Sequence, residues 1–293
     1  MMIDQVYPVK RQVPLEGLYF AEKLTKLAAE MGRSVVLTDY LTDRNGVIAK
    51  AAGEDHFEIP GELKNSSDWD RYQELMAQAD VIISSGAYFK RLAAKGAQDI
   101  LYQFEPGGAF EKLGQWRLDA GFEKRSPDVA ILTRHFDFEL PDKLRKSGRR
   151  IILFTTDSMA KSDKAKDVRN AATLIVGSGE AGVDGGRMIA TLAEDMGYRV
   201  IMMVSGPHVL ELLLAAKRLD LLYVTEAQVE IPFDDPAGVQ TVLSGGKKIS
   251  DLKEFHLAHQ FLQENVVTEN GSRISQSFIR YDTNDLADLE NLP

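Results

Sequence analysis

Short apolar runs of β type alternate with amphipathic segments along most of the chain. Strands are predicted at 34–40 (SVVLTDY), 80–85 (DVIISS), 128–133 (DVAILT), 150–155 (RIILFT), 173–177 (TLIVG), 199–205 (RVIMMVS), 221–230 (LLYVTEAQVE) and 275–281 (SQSFIRY). Helical spacing predicts helices near 20–31, 68–79, 162–171, 185–196, 207–217 and 251–263. In GGRMIATLAEDMG, residues Met188, Ile189, Leu192, Ala193 and Met196 share one face, with Asp184 placed as N-cap and Gly197 as the stop. Strand–helix–strand alternation implies an α/β fold with a largely parallel sheet. Residues 1–30 read as an arm or extra helix, 31–283 as one domain, and 284–293 (NDLADLENLP) as an acidic tail.

Composition narrows the function. The net charge of −9 argues against a nucleic-acid binder, because phosphate contacts need clustered Lys and Arg. The one basic cluster, Lys143 to Arg150, precedes an apolar run and is expected to solvate a turn. With no cysteine, disulfides, thiolate metal sites and cysteine nucleophiles are excluded. The segment MMIDQVYPVKRQVPLEGLYF has no apolar signal core, and no apolar run approaches a membrane span, so a cytoplasmic protein is expected.

Residues 173–182, TLIVGSGEAG, contain a literal G-x-G-x-x-G at Gly177, Gly179 and Gly182. A dinucleotide-binding Rossmann loop needs its helix to begin within the glycines, so that N–H groups meet the pyrophosphate. It also needs an acidic residue at the end of the next strand for the ribose. Here the helix pattern begins only after Asp184, Glu180 and Asp184 repel an anion, and the next strand ends in Met203, Val204 and Ser205. A second turn is better formed. Ser205-Gly206-Pro207 joins a strand to a helix, and the N–H groups of Gly206, His208 and Val209 are placed to cradle a phosphate. The alternative is an ordinary strand-to-helix connection.

The order of these motifs resembles the pyrimidine reductase family of riboflavin biosynthesis, the reductase half of bifunctional deaminase-reductases. VVLTDYLTDRNGVIA (35–49) is similar to the family's opening strand and its "SLDGrIA" loop. SSDWDRYQELMAQADVIISSGAYF (66–89), SPDVAILTRHFDFELP (126–141), Val183-Asp184, the Ser205-Gly206-Pro207 turn, Leu219 to Tyr223 and SQSFIRYDT follow in the family's order across residues 31–283. The resemblance implies a dihydrofolate-reductase-like fold, a mostly parallel central sheet flanked by helices. It also implies a homodimer and an NADPH-dependent reductase of a (phospho)ribosylaminopyrimidine. NADPH would lie against Gly86 and Ala87, Thr133 and Arg134 at its 2′-phosphate, Gly177 and Gly179 at the adenine ribose, and Ser205, Gly206, Pro207, His208 and Val209 at the pyrophosphate. Ser66, Ser67 and Asp68 would approach the substrate. The deaminase half, whose zinc needs cysteine ligands, is absent.

Three departures bear on catalysis. The family's loop serine and aspartate fall on Asp43 and Asn45, and an amide cannot relay a proton, so that role passes to Asp43, Asp39 or water. The family's EGG turn reads Ser205-Gly206-Pro207, with one N–H fewer. Residues 96–125 are longer and more aromatic than the family pattern, with Tyr102, Phe110 and Trp116 expected in core or dimer packing. These changes keep two alternatives open: a nucleotide-binding dimeric module without turnover, and a Rossmann NAD dehydrogenase. No metal site is expected: His256 and His259, at helical i, i+3 spacing, lack a completing carboxylate. His135, beside Arg134, is a further phosphate candidate, and Asp68 and Asp70 suit a helix N-terminus.

Overall fold

The computed structural model describes residues 1–53, 56–169, 171–180 and 182–286, so part of the acidic tail, 287–293, lies outside the described residues. In chain order the elements are β1 (Met2–Tyr7), β2 (Arg11–Pro14), α1 (Leu24–Met31), β3 (Val35–Thr42), β4 (Val47–Gly53), β5 (His56–Glu58), α2 (Ser66–Gln78), β6 (Val81–Ser85), α3 (Gly86–Ala93) and α4 (Glu111–Asp119). There follow β7 (Asp128–Leu132), α5 (Asp142–Arg145), β8 (Ile151–Thr155), α6 (Asp157–Ala160), α7 (Asp163–Arg169), β9 (Leu174–Gly177), α8 (Gly185–Ala190) and β10 (Val200–Met203). The chain closes with α9 (Pro207–Ala215), β11 (Leu221–Ala227), β12 (Val239–Thr241), β13 (Phe255–Val267) and β14 (Arg273–Thr283). Among the described residues, no helix is long and apolar enough to cross a membrane.

Eleven strands form one sheet in the order β2-β1-β13-β14-β11-β3-β10-β6-β7-β8-β9. The seven from β11 to β9 are parallel, and β14, β13, β1 and β2 extend them antiparallel. Strands β12, β4 and β5 make a small separate sheet. The parallel strands read as continuous apolar runs because both faces are covered. On one face Leu24, Leu75, Met76 and Phe89 of α1 to α3 pack on Leu37, Ile82 and Met202. On the other, Met188, Ile189, Leu210 and Leu213 of α8 and α9 pack on Val36, Ile83 and Ile201.

The eight predicted strands are β3, β6, β7, β8, β9, β10, β11 and β14. Asp184 caps α8 by accepting from Arg187 N at 2.7 Å, and Gly197 takes the left-handed conformation past its end. Residues 1–30 hold a hairpin, a short 3₁₀ turn at Phe20–Glu22 and α1, and β1 pairs with β13 within the main sheet. Tyr102, Phe110 and Trp116 pack half-buried against the core.

Two expectations are corrected. The helix at 251–263 is strand β13. Its pairing with β14 slips at Ala258 and again near Asn265, which has φ +59°. Each slip inserts a residue and breaks strict alternation, so apolar positions fall at a spacing that imitates a helix. Within the basic cluster, Arg149 is buried and donates to the Pro127 and Leu101 carbonyls, so it stitches loops together instead of solvating a turn.

The amino edge of the parallel strands is pinned by aspartates. Asp220 Oδ2 accepts from Val36 N at 2.8 Å and its Oδ1 binds Arg33 at 2.7 Å. Asp80 accepts from Arg199 N and Val200 N, and Asp128 from Arg150 N. Each carboxylate satisfies an amide of a neighbouring strand that the ladder leaves unpaired. Asp220→Ala strands the buried Val36 N–H and is expected to destabilise the chain by about 1–3 kcal/mol, measured by urea unfolding; an unchanged midpoint contradicts the pinning role.

Candidate functional site

All seven parallel strands point their carboxyl ends at one edge, and the turns leaving them carry the residues expected to meet a nucleotide. Gly86 opens α3 directly from β6, Thr133 and Arg134 follow β7, Gly177 ends β9, and Ser205 to Val209 join β10 to α9. Arg134, Gly206 and His208 are exposed there, as is Ala87. The β10–α9 turn is held from below: Tyr40 Oη donates to Ser205 O at 3.1 Å, and Ser205 Oγ to Ile83 O at 3.3 Å. Pro207 starts α9, leaving the Gly206 and His208 N–H groups at its open end, whereas Val209 N bonds to Gly206 O and its side chain is buried.

Other expected positions are occupied by the chain itself. A Cβ on Gly86 would meet Thr133 Oγ1 at 2.8 Å and the Phe138 ring at 3.0 Å, so this glycine makes room for the β7 turn. The carboxylate of Asp157 lies over Gly177, and a Cβ on Gly179 would strike the Gly182 carbonyl. Asp157 N donates to Gly179 O at 2.9 Å and Asp184 N to Ser178 O at 2.6 Å. The glycine loop is therefore closed on its own backbone and faced by a carboxylate, an environment that disfavours anions. A Rossmann site is excluded by topology as well: β9, the strand before the loop, is the outermost strand of the sheet, not a central one at a switch point.

Asp43 is not a free acid. Fully buried, it accepts from Asn45 N and Val47 N through Oδ1 and from Ile231 N through Oδ2, each at 2.8 Å. It builds the β3–β4 turn. Asn45 is exposed.

Asp39 and Asp68 come together instead. Asp39 sits on β3, one step past the Thr38–Met203 pair and so level with the residue before Ser205. The residue is half-buried, with its side chain on the α2 face, and its Oδ1 is buried with no hydrogen bond among the described residues. Asp68 lies buried in the first turn of α2. That turn is fastened by amides: Asn65 Oδ1 caps it, Asn65 Nδ2 donates to Gln276 at 2.8 Å, Gln276 to Gln263 at 3.0 Å, and Gln263 to Ser67 Oγ at 2.9 Å. Ser67 is thus a fastening and Ser66 is exposed, while Asp68 faces inward. Burial pushes the Asp68 carboxyl up to about 6, with the Thr225 hydroxyl pulling the other way. Burial, then the Asp68 charge, raise Asp39 well above the usual carboxyl range, opposed by the Tyr40 N–H. Both carboxyls are therefore drawn towards their protonated forms, and they titrate as a pair.

Around the pair stand Tyr72, stacked on Trp69 at 5.3 Å, and Tyr19 and Tyr223, whose rings meet edge-on at 5.0 Å. The hydroxyls of Tyr19 and Tyr223 are buried and make no hydrogen bond among the described residues, as is true of the Gln73 amide and Ser84 Oγ. Buried polar atoms of this kind are met by water or a ligand. Sequence reasoning missed Tyr19, Tyr72, Tyr223 and Thr225. The available signal was an aspartate inside an apolar strand, with Tyr223 and Thr225 alternating in LLYVTEA. Two hollows, of about 860 and 840 Å³, lie at the opposite, amino edge, where Asp80, Asp128 and Asp220 are already committed to backbone amides.

No family model matches the sequence, and no curated protein matches it. Solved structures do. The chain superposes on a pyrimidine reductase-like protein from Corynebacterium diphtheriae with TM-score 0.57 and 16% identity, covering 89% of this chain and 98% of that one. On RibD of Acinetobacter baumannii the TM-score is 0.56 and the identity 12%, covering 88% of this chain. The chain has their fold. It spans 60% of the length of that RibD chain. The riboflavin biosynthesis reductase Rib7 of Saccharomyces cerevisiae matches at TM-score 0.50 and 14% identity, covering 85% of this chain and 90% of that one. At these identities the likeness establishes the dihydrofolate-reductase-like architecture expected from the sequence.

A carboxyl group whose folded value is raised stabilises the fold fully below its unfolded value and loses that contribution as pH climbs through the folded one. For Asp68 the window runs from the ordinary 3.8 to about 6. Asp68→Asn is expected to leave stability at pH 4 nearly unchanged and to raise it at pH 8 by about 2–3 kcal/mol. Urea unfolding across that range measures it, and an equal shift at both pH values contradicts a raised carboxyl.

Proposed function

We propose that the chain is an NADPH-dependent reductase of a (phospho)ribosylaminopyrimidine. One observation carries this reading: a carboxyl pair, the half-buried Asp39 and the buried Asp68, lies beside the β10–α9 turn at the carboxyl edge of a reductase-type sheet. The fold supports it at low identity to riboflavin-biosynthesis reductases.

The residues present fit a nicotinamide dinucleotide in part. Arg134, exposed beyond β7, suits the 2′-phosphate, and the open end of α9 at Gly206 and His208 suits the pyrophosphate. Gly177 and Gly179, closed and faced by Asp157, do not suit an anion and are left for neutral ribose hydroxyls. When bound, NADPH supplies the hydride. The chain supplies the rest. Asp68 and Thr225 meet the heterocycle from α2 and β11, and Tyr72 and Trp69 present aromatic faces to it. A proton held by Asp39 and Asp68 is available to the ribosylamino group of the substrate as it is reduced.

Two measurements test the reading. In calorimetric titrations NADPH is expected to bind more tightly than NADH, and Arg134→Ala to weaken NADPH by about ten- to a hundred-fold. Oxidation of NADPH with 5-amino-6-(5-phosphoribosylamino)uracil is expected in the wild type and to fall about a hundred-fold or more in Asp39→Asn, with NADPH affinity retained. Binding without oxidation assigns instead a nucleotide-binding module without turnover; preference for NADH removes the 2′-phosphate role of Arg134.

A further inference from the structure

This inference rests on the nicotinamide-dinucleotide reading of the carboxyl edge and concerns which adenosine ribose that edge accepts. Strands β7, β8 and β9 are neighbours, with Leu132, Phe154 and Val176 level in register. The ladder runs a step further: Thr133 N donates to Phe154 O at 3.0 Å, and Ser178 N to Thr155 O at 2.9 Å. Arg134, Asp157 and the glycine loop therefore leave the sheet at adjacent strand ends, with about 5 Å between one strand and the next. Asp157 is built into that edge. Its N–H donates to Gly179 O at 2.9 Å, and a Cβ on Gly177 would strike its Oδ1, so glycine at 177 lets the carboxylate lie against the loop.

That carboxylate is not used up by the chain. Asp43, Asp80, Asp128 and Asp220 accept from backbone N–H groups. Among the described residues the Asp157 side chain accepts no hydrogen bond; its charged partner is Arg187, whose Nη1 stands 3.6 Å from Oδ1, too far for one. Arg187 rises from the start of α8, where its N–H is held by the Asp184 cap at 2.7 Å. Its side chain is 56% exposed, against 24% for Asp157, so the guanidinium can turn while the carboxylate is held by the loop. The other charged side chains of the loop, Glu180 and Asp184, are acidic and exposed. Arg187 is thus one cation among three carboxylates.

We propose that Asp157 and Arg187 set which dinucleotide the chain accepts: the Asp157 carboxylate receives a hydroxyl of the adenosine ribose, and Arg187 leaves it to bind a 2′-phosphate. A carboxylate beside a glycine turn at a strand end suits a sugar diol, because hydroxyls donate and an ionised carboxylate only accepts. The same charge repels a phosphate on that sugar. Arg187 offsets the repulsion. Its planar fork matches phosphate oxygens, and its contact with Asp157 is long and largely exposed, so little opposes its release. Arg134 meets the phosphate from the β7 side and Arg187 from the α8 side. Preference for the phosphorylated cofactor is then shared between two guanidiniums, with Asp157 between them acting against it.

Adenosine 2′,5′-bisphosphate and adenosine 5′-monophosphate differ only in the 2′-phosphate, and calorimetric titration of each reads this corner without turnover. The wild type is expected to bind the bisphosphate more tightly. Arg187→Ala is expected to weaken the bisphosphate by about ten-fold and to leave the monophosphate within about two-fold. Asp157→Asn is expected to act in opposite directions, tightening the bisphosphate by about three-fold and weakening the monophosphate by about as much. A structural role for the pair would move both ligands the same way. Lys26→Ala, which removes a positive charge from α1, is the control and is expected to change neither. Arg187→Ala, at the surface, provides the answer even if Asp157→Asn disturbs the loop. Parallel shifts of the two ligands, or none, overturn the inference, and the cofactor reading stands if NADPH itself still binds. A wild type that binds neither fragment overturns the inference too. Opposite shifts in a chain that never oxidises NADPH with the pyrimidine uphold the inference and remove the reductase reading.

Discussion

A carboxyl group drawn out of water resists ionising, and a second carboxylate beside it adds to that resistance; Asp39 meets both conditions next to the buried Asp68. Asp39 comes from the centre of the parallel sheet and Asp68 from the first turn of the helix laid across it. Among the described residues neither is paired with a cation, unlike Glu22, which has Arg280, and Glu74, which has Arg71. An amide ladder, Asn65 to Gln276 to Gln263 to Ser67, fixes the helix turn that holds Asp68. A carboxyl kept protonated near neutrality can give a hydrogen bond or a proton, which an ionised one cannot.

The other acids show how much environment decides. Asp43 has three backbone N–H donors and serves as the keystone of a turn. Asp80, Asp128 and Asp220 each satisfy a strand amide at the amino edge. Identical side chains are thus structural at Asp43, Asp80, Asp128 and Asp220, while Asp39 Oδ1 is left without a donor among the described residues. The difference lies in whether backbone donors fill their lone pairs. In an α/β sheet whose amino edge is saturated, chemistry is left to the carboxyl edge.

Much of the sheet was legible because parallel strands covered on both faces are apolar along their length, and the seven parallel strands are present where that pattern placed them, with antiparallel β14 beside them. The capped start of α8 at Asp184 and the proline start of α9 were equally plain, since both follow from backbone donors that must be met locally. What failed is instructive. The run EFHLAHQFLQ looked helical because a slip at Ala258 displaces its apolar positions, and a slip is a property of pairing with β14 that no local pattern contains. The closing of the glycine loop by Asp157 was likewise unreadable, because Asp157 arrives from another strand end. At the site, Asp39 and Asp68 could be named separately, but their meeting, and the tyrosines around them, depend on register across strands and on the placement of α2.

That same slip ties the error to the chemistry. Without the extra residue at Ala258, His256 and His259 would fall on opposite faces of β13, as odd spacing on a strand requires. With it, both face the same side, and His259 lands beside Glu22 and in line with Arg280, Tyr223 and Asp39. A bulge is a costly interruption of a ladder, and it is favoured where a side chain has to be re-aimed. Here it turns a half-exposed histidine onto the face that carries Glu22 and Arg280. The feature that disguised β13 as a helix is therefore the feature that places its histidine beside Glu22.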